Sequence, residues 1–192
     1  GALGHAAFHL GKKSSAAVIG STLYVLGADG RLIETDGTAA NTRELPSVAP
    51  QHLNPWTSEL SDLTELNGDL YFVGPQYLAG LGVYKFAPGS GVAPATVSTF
   101  PEGAELEHLR AAAGRLFVAA GSSSKEMWSF DGANGSMLEV NPNGNASSQA
   151  SPIAATDTHV FFSVNRDIDW WSASEGTQQE LWVSDGTSAG TR

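Results

Sequence analysis

The sequence contains no cysteine, which excludes disulfide cross-links, thiolate metal sites and thiol redox chemistry. Lys and Arg together number only 10 of 192 residues, against 20 Asp and Glu, so the formal net charge at pH 7 is −10. A nucleic-acid-binding surface needs clustered basic residues, and the sequence has no such cluster. No apolar run approaches the roughly 18–20 residues that a membrane-spanning helix requires. We therefore expect neither nucleic-acid binding nor a membrane span.

Two segments far apart in the chain share one pattern. Leu32–Arg43 and Leu181–Arg192 each have an apolar pair, then Asp-Gly-Thr, then a small linker that ends in Thr-Arg. A segment that recurs in this way indicates an internal repeat, and the repeat decides the fold class.

A second recurring pattern gives the period of the repeat. An aliphatic, an aromatic and an apolar residue follow one another at Leu23, Leu70, Leu116 and Val160, with spacings of 47, 46 and 44 residues. Just before each triplet lies a pair of residues suited to a tight hairpin turn. These pairs are Gly20-Ser21, Asn67-Gly68, Ala113-Gly114 and Asp157-Thr158. Each repeat is therefore predicted to begin with a strand, a tight turn and a second strand.

Further strands are predicted in every repeat. Third strands align at Leu32-Ile33, Val83-Tyr84, Met127-Trp128 and Leu181-Trp182, and fourth strands follow at Arg43–Leu45, Ala95–Phe100 and Ser136–Val140. Asp-Gly follows the third strand at Asp36, Asp131 and Asp185, but repeat two has Ala87-Pro88-Gly89 instead, so its turn must differ.

Four short strands in about 46 residues are typical of a β-propeller blade. The sequence predicts an all-β fold: one β-propeller domain over residues 1–192, with four repeats at approximately 14–58, 59–104, 105–149 and 150–192. Residues 102–115 are rich in helix formers, but helix propensity is a weak guide that tertiary context overrides. We predict a strand there because the repeat alignment demands one.

The fourth repeat has no fourth strand of its own in this sequence. A short β-compatible segment at residues 6–10 could supply it and close a four-bladed ring, which would also protect an exposed sheet edge. The alternatives are that the chain is part of a larger propeller, or that two copies meet in an eight-bladed ring. Self-association through blade edges belongs to the same set of hypotheses.

The segment Glu180–Thr191 closely resembles the ELWxxDGT repeat of a family of bacterial, mostly exported, propeller-like proteins. The resemblance is strong in repeat four, fair in repeat one, partial in repeat three and weak in repeat two. It implies a β-propeller fold and an extracytoplasmic location. It implies no catalytic residues, because the family's motif is structural.

The sequence offers one insertion as a candidate binding site. Repeat four has 20 residues from Phe162 to Trp182, whereas the equivalent spacings in the other repeats are 8, 12 and 10. The extra residues include Asp167, Asp169, Trp170 and Trp171, and insertions in repeat proteins often form loops on the binding face. Exposed aromatic side chains beside carboxylates suit sugar stacking or a protein contact. Tyr77, in an apolar hairpin tip of repeat two, is a weaker candidate.

The repeated Asp residues have two interpretations. Their carboxylates could bind a cation, but calcium-loop ligands are absent nearby, so a role in stabilising the turn is favoured. No motif predicts a metal, a cofactor or a catalytic group. We therefore expect a non-catalytic binding or scaffold module that contacts a protein or a glycan. The alternatives are a polysaccharide hydrolase with carboxylates near the propeller channel, and a structural subunit of a larger assembly.

Overall fold

The computed structural model shows a chain of short strands joined by turns. In the part of the chain that it describes, no helix is long and apolar enough to cross a membrane. The described residues are 15–27, 30–45, 60–76, 80–122, 125–132, 134–138, 140, 148–166 and 178–192.

The strands form four antiparallel sheets in which chain neighbours are also sheet neighbours. Within the described residues, three sheets have four strands and the fourth has three. Sheet 1 contains β1 (Ser15–Ile19), β2 (Thr22–Leu26), β3 (Leu32–Thr35) and β4 (Arg43–Leu45). Sheet 2 contains β5 (Ser61–Leu66), β6 (Asp69–Gln76), β7 (Gly80–Phe86) and β8 (Ala95–Phe100). Sheet 3 contains β9 (Glu105–Ala112), β10 (Arg115–Gly121), β11 (Glu126–Phe130) and β12 (Gly135–Met137), and sheet 4 contains β13 (Ser151–Ala155), β14 (Val160–Arg166) and β15 (Gln178–Ser184).

The all-β prediction with four-stranded sheets is confirmed. Closure of a ring and the number of blades stay predictions. The predicted hairpin turns occur where the sequence places them. Asn67 and Gly68 have φ values of 55° and 83°, and Ala113 and Gly114 have 51° and 69°. Positive φ at both central residues is what a type I′ hairpin turn requires.

Residues 102–115 contain the predicted strand β9 and not a helix. The buried side chains of this strand, Leu106, Leu109 and Ala112, are three residues apart, which imitates a helical period. The spacing from Leu109 to Ala112 falls in regular pairing, so these two residues lie on opposite faces of the sheet. The spacing from Leu106 to Leu109 comes from a β-bulge: His108 has a φ of 57°, and the pairing with β10 shifts register there. A bulge inserts one extra residue, so the alternation of two becomes a spacing of three.

The chain divides into two compact units, Gly1–Thr99 and Phe100–Arg192. The first unit contains sheets 1 and 2, and its core cluster is made by Tyr24, Leu26, Leu32, Leu60, Leu63, Leu70, Phe72, Tyr84 and Phe86. The second unit contains sheets 3 and 4, and its core cluster is made by Ala112, Phe117, Met127, Leu138, Val140, Ala150, Val160, Phe162 and Val164. Each cluster draws side chains from both of its sheets, so the sheets within a unit pack face to face. The single domain expected from the sequence stays a prediction.

Candidate functional site

The Asp-Gly-Thr segment of repeat one forms a closed turn after β3. Asp36 Oδ1 accepts hydrogen bonds from Thr38 N (2.9 Å) and Thr38 Oγ1 (2.7 Å). Asp36 Oδ2 accepts a hydrogen bond from Asn41 Nδ2 (2.6 Å). Both carboxylate oxygens are therefore used by the turn itself.

Hydrogen bonds of Thr35 and Thr42 also stabilise this turn. Thr35 Oγ1 accepts a hydrogen bond from Gly37 N (3.0 Å) and contacts Thr42 Oγ1 (2.6 Å). Thr42 Oγ1 in turn donates to Thr38 O (2.6 Å). Gly37 has a φ of 93°, a conformation that residues with a Cβ adopt only with strain.

Repeat four builds most of this network from equivalent residues, with Gly190 in the place of Asn41. Asp185 Oδ1 accepts hydrogen bonds from Thr187 N (2.9 Å) and Thr187 Oγ1 (2.7 Å). Gly186 N donates to Ser184 Oγ (2.9 Å), and Thr191 Oγ1 donates to Thr187 O (2.6 Å). The favoured interpretation of the motif, a self-stabilised turn, matches this geometry. Among the residues that the structure describes, no group of three or more His, Asp or Glu could hold a metal ion.

The turn hydrogen bonds lower the pKa of Asp36 to about 2, with Thr38 as the main cause and Asn41 next. The folded chain therefore prefers the ionised carboxylate, so this contribution to stability is complete above pH 4 or so and is lost as the pH falls towards about 2. We expect Asp36→Asn to flatten the fall of the thermal unfolding midpoint between these pH values. Midpoints measured for both proteins across this range provide the check, and identical slopes would contradict the assignment.

The turn of repeat four also packs against sheet 3. A Cβ added to Gly186 would lie 2.5 Å from Arg115 Cδ and 2.9 Å from Ser129 Oγ. Arg115 Nε donates a hydrogen bond to that Ser129 Oγ (2.6 Å). Gly186 therefore allows the turn to approach an arginine on the neighbouring sheet.

Sheet 1 carries a polar pocket of about 370 Å³ beside its own Asp-Gly-Thr turn. Its lining residues are Ser21, Thr22, Glu34, Asp36, Ala40, Asn41 and Arg43. Arg43 Nε donates a hydrogen bond to Glu34 Oε1, so a carboxylate and a guanidinium meet in the pocket. The nearby Tyr24 hydroxyl has its pKa raised, mainly by burial and next by the negative charge of Glu34.

A second cavity, of about 480 Å³, lies along β4 in the same unit. It is lined by Arg43, Glu44, Leu45, Phe86, Gly89, Gly91, Val92, Ala93 and Pro94. Glu44 Oε2 lies 3.7 Å from Arg31 Nη1, which makes a second carboxylate–guanidinium pair on this sheet.

The residues predicted from the sequence as contact sites all lie outside the described residues. Tyr77 follows β6 and precedes β7 in the sequence. Asp167, Asp169, Trp170 and Trp171 belong to the segment between β14 and β15. Their binding role stays a prediction.

Sequence reasoning missed the Glu34–Arg43 pocket. The signal was present in repeat two, where Ala87-Pro88-Gly89 replaces Asp-Gly. The replacement predicted a different turn after the third strand of repeat two. It did not predict a pocket on sheet 1, the sheet before it.

The sequence matches no protein-family model and no curated protein. Solved structures do resemble the fold. A prolyl endopeptidase is 10% identical with a TM-score of 0.65, over 93% of this chain and 25% of its own. A puromycin-hydrolysing peptidase of Mycobacterium tuberculosis is 17% identical with a TM-score of 0.58, over 93% of this chain and 28% of its own. A GH43 endo-arabinanase from Bacillus licheniformis is 17% identical with a TM-score of 0.44, over 93% of this chain and 73% of its own.

This chain thus spans about a quarter of the length of the two peptidases. Since the identities are low, the similarity to the peptidases concerns the fold alone.

Proposed function

We propose that this chain is a non-catalytic binding module of an exported bacterial protein, which contacts a protein or a glycan through its hairpin loops. The observation that carries the proposal is the use of the repeated Asp by its own turn. In both full copies of the motif, Asp36 and Asp185 accept hydrogen bonds from the threonine two residues later. A residue type that recurs for a structural reason is not evidence of an active site.

Three of the described carboxylates are unsuited to the acid step of glycoside hydrolysis. A glycosidase needs one carboxylic acid whose pKa is raised, so that it can donate a proton to the leaving group. Hydrogen bonds from Thr187 lower the pKa of Asp185, and hydrogen bonds in the turn lower that of Asp36. Lys125, whose Nζ lies 2.7 Å from Glu105 Oε2, lowers the pKa of Glu105. Each of these groups is therefore ionised at neutral pH and unsuited to act as the acid.

The hairpins of repeats two and four suit a contact role. Strand β6 has eight residues, and β7, β14 and β15 have seven each, whereas β2 and β3 of repeat one have five and four. Backbone pairing continues to Gln76 opposite Gly80 in one hairpin and to Arg166 opposite Gln178 in the other. The segments that contain Tyr77, Trp170 and Trp171 follow directly on these paired strands in the sequence. Tryptophan and tyrosine are the residue types that dominate binding energy at interfaces.

Removing both tryptophans tests this proposal. Ligands are first selected from an array of immobilised glycans and from a displayed peptide library. We expect the double variant Trp170→Ala, Trp171→Ala to weaken binding of the selected ligand by about 2 kcal/mol or more, as for interface hot spots. The measurement is a titration by calorimetry.

A matched control alters the same insertion without removing an aromatic ring: Ser172→Ala with Ser174→Ala, which we expect to bind normally. Unchanged binding by the tryptophan variant would refute the contact surface. Release of reducing sugars from any bound glycan would refute the non-catalytic assignment.

A further inference from the structure

We propose that the polar pocket on sheet 1 binds a saccharide, by holding two adjacent hydroxyl groups between Glu34 and Arg43. This inference rests on the proposed binding function and adds the ligand class and the residues that contact it. None of its lining residues belongs to the segments 77–79 and 167–177.

The packing of sheets 3 and 4 shows what occupies the corresponding place in the second unit. On sheet 3, Arg115 begins β10 and Ser129 lies on β11 beside it. The turn of the next repeat approaches these two residues so closely that only glycine fits, at Gly186. In the second unit, therefore, an Asp-Gly-Thr turn covers the polar end of the preceding sheet.

The first unit has the same position but a different turn. Thr22 and Glu34 occupy on sheet 1 the places of Arg115 and Ser129, as the paired residues Tyr24–Glu34 and Phe117–Ser129 show. The next repeat supplies Pro88 where repeat four has Gly186, and its turn closes through a hydrogen bond from Ser90 N to Ala87 O (3.2 Å).

This turn lines the neighbouring cavity along β4 and does not line the pocket at Glu34. The loss of the Asp-Gly-Thr turn from repeat two thus leaves a polar pocket on the sheet before it.

The chemistry of the pocket favours a neutral polyhydroxylated ligand. Glu34 and Arg43 neutralise each other, so a fully charged ligand would have to compete with one of them for the other. Two adjacent hydroxyl groups are complementary to the pair, because each can donate to the carboxylate and accept from the guanidinium. Arg43 uses Nε for Glu34, which leaves its terminal amino groups for a ligand. The Glu34 side chain is only 15% exposed and therefore held in place, whereas that of Arg43 is 71% exposed.

The remaining lining residues extend this complementarity. Ser21 and Thr22 contribute hydroxyl groups, and Asn41 contributes an amide already held by Asp36. The volume of about 370 Å³ falls within the range of small-molecule sites, about 300–1,000 Å³. One sugar residue of a glycan chain is a ligand of this kind.

The first experiment compares two forms of one sugar. Methyl β-D-galactopyranoside is titrated into the full chain, and its permethylated derivative, which has the same ring but no hydroxyl donors, serves as the ligand control. Binding is measured by chemical-shift changes in ¹H–¹⁵N spectra. We expect saturable binding of the free glycoside at millimolar concentration, with the largest shifts at Glu34, Arg43 and Thr22, and no binding of the permethylated form.

Protein variants then assign the contacts. Glu34→Gln and Arg43→Lys are expected to weaken binding at least tenfold, the fold-change for losing a hydrogen bond to a charged group. The matched controls are Glu44→Gln and Arg31→Lys, which alter the other carboxylate–guanidinium pair of sheet 1 and should bind normally. Thr22→Arg introduces the residue found at this place on sheet 3 and should abolish binding by filling the pocket. Unchanged amide spectra away from the substitution verify that each variant is folded.

The inference is overturned if the glycoside does not bind, if the permethylated sugar binds equally, or if the pocket variants and their controls respond alike. Its failure is distinguishable from failure of the proposed function, because the latter is tested by the Trp170 and Trp171 variants with selected ligands. Loss of selected-ligand binding in the tryptophan variant, together with glycoside binding that Glu34→Gln leaves unchanged, would leave the proposed function standing and refute the pocket.

Discussion

Replacing Phe162 with Ala is expected to lower the free energy of unfolding by about 3–5 kcal/mol, the range for removing a buried phenylalanine. Phe162 is fully buried in the core cluster of the second unit. Its ring centroid lies 6.4 Å from that of Trp182 on the neighbouring strand β15. Truncation removes the transfer energy of the ring and leaves a cavity that surrounding strands cannot fill, since their backbones are fixed by sheet pairing. Denaturant titration of the variant and the parent chain measures the loss.

The adjacent Phe161 provides a matched control on the same strand. Successive side chains of a strand point to opposite faces, so Phe161 lies on the face of sheet 4 away from Phe162. Phe161 is only partly buried, and we expect Phe161→Ala to cost clearly less than Phe162→Ala. Equal losses in the free energy of unfolding for the two variants would contradict the assignment of Phe162, rather than Phe161, to the core of the second unit.

Adding a single methyl group at Gly186 is expected to cost about 2–4 kcal/mol, the sum of backbone strain and overpacking. Gly186 has a φ of 89°, and its added Cβ would overlap Arg115 Cδ at 2.5 Å. Gly37, in the equivalent turn of repeat one, has a φ of 93° with nothing within 4 Å of its added Cβ. Gly37→Ala therefore introduces backbone strain without overpacking, and we expect it to lower the free energy of unfolding by about 1–2 kcal/mol. Thermal and denaturant unfolding of both variants measure the difference.

A double-mutant cycle separates the overlap from other effects. Arg115→Ala removes the side chain that the new methyl group would meet, so Gly186→Ala should cost less in that background than in the parent chain. The coupling between the two sites would then fall within the range for residues in contact, about 0.5–3 kcal/mol. Additive losses would mean that the turn of repeat four does not press on Arg115.

Much of the strand arrangement could be predicted because two local signals agreed. Apolar triplets such as Leu70–Phe72 give the buried second strand, and a turn such as Asn67-Gly68 fixes the pairing register. Where propensity and repeat alignment disagreed, at residues 102–115, the alignment was correct. Pairing of β9 with β10 outweighs the helix propensity of its residues there, as tertiary context can.

The pocket could not be predicted from local patterns, because it depends on two repeats at once. Glu34 lies on the largely buried strand β3 and Arg43 on the more exposed strand β4. Nothing in the sequence around either residue distinguishes it. The packing of Gly186 on Arg115 shows that the turn of repeat four covers the end of sheet 3, and the first unit differs from this arrangement. The sequence shows that Ala87-Pro88-Gly89 replaces Asp-Gly in repeat two. The pocket that results on sheet 1 depends on how the two repeats pack together, which the sequence does not show.

The near-identity of the turns at 35–42 and 184–191 also has a consequence for how the chain folds. Alike segments can exchange partners during folding, and such misassembly is a characteristic failure of repeat proteins. The two matching turns are separated by two repeats in which the segment differs, with Pro88 in one and no threonine after Gly132 in the other. Segments close together in the chain meet first, because closing a longer loop costs more entropy. A strand of repeat one or four therefore meets strands of the dissimilar repeats two and three before it meets its counterpart at the other end of the chain. The sequence differences in repeats two and three thus make incorrect pairing between repeats one and four less frequent during folding.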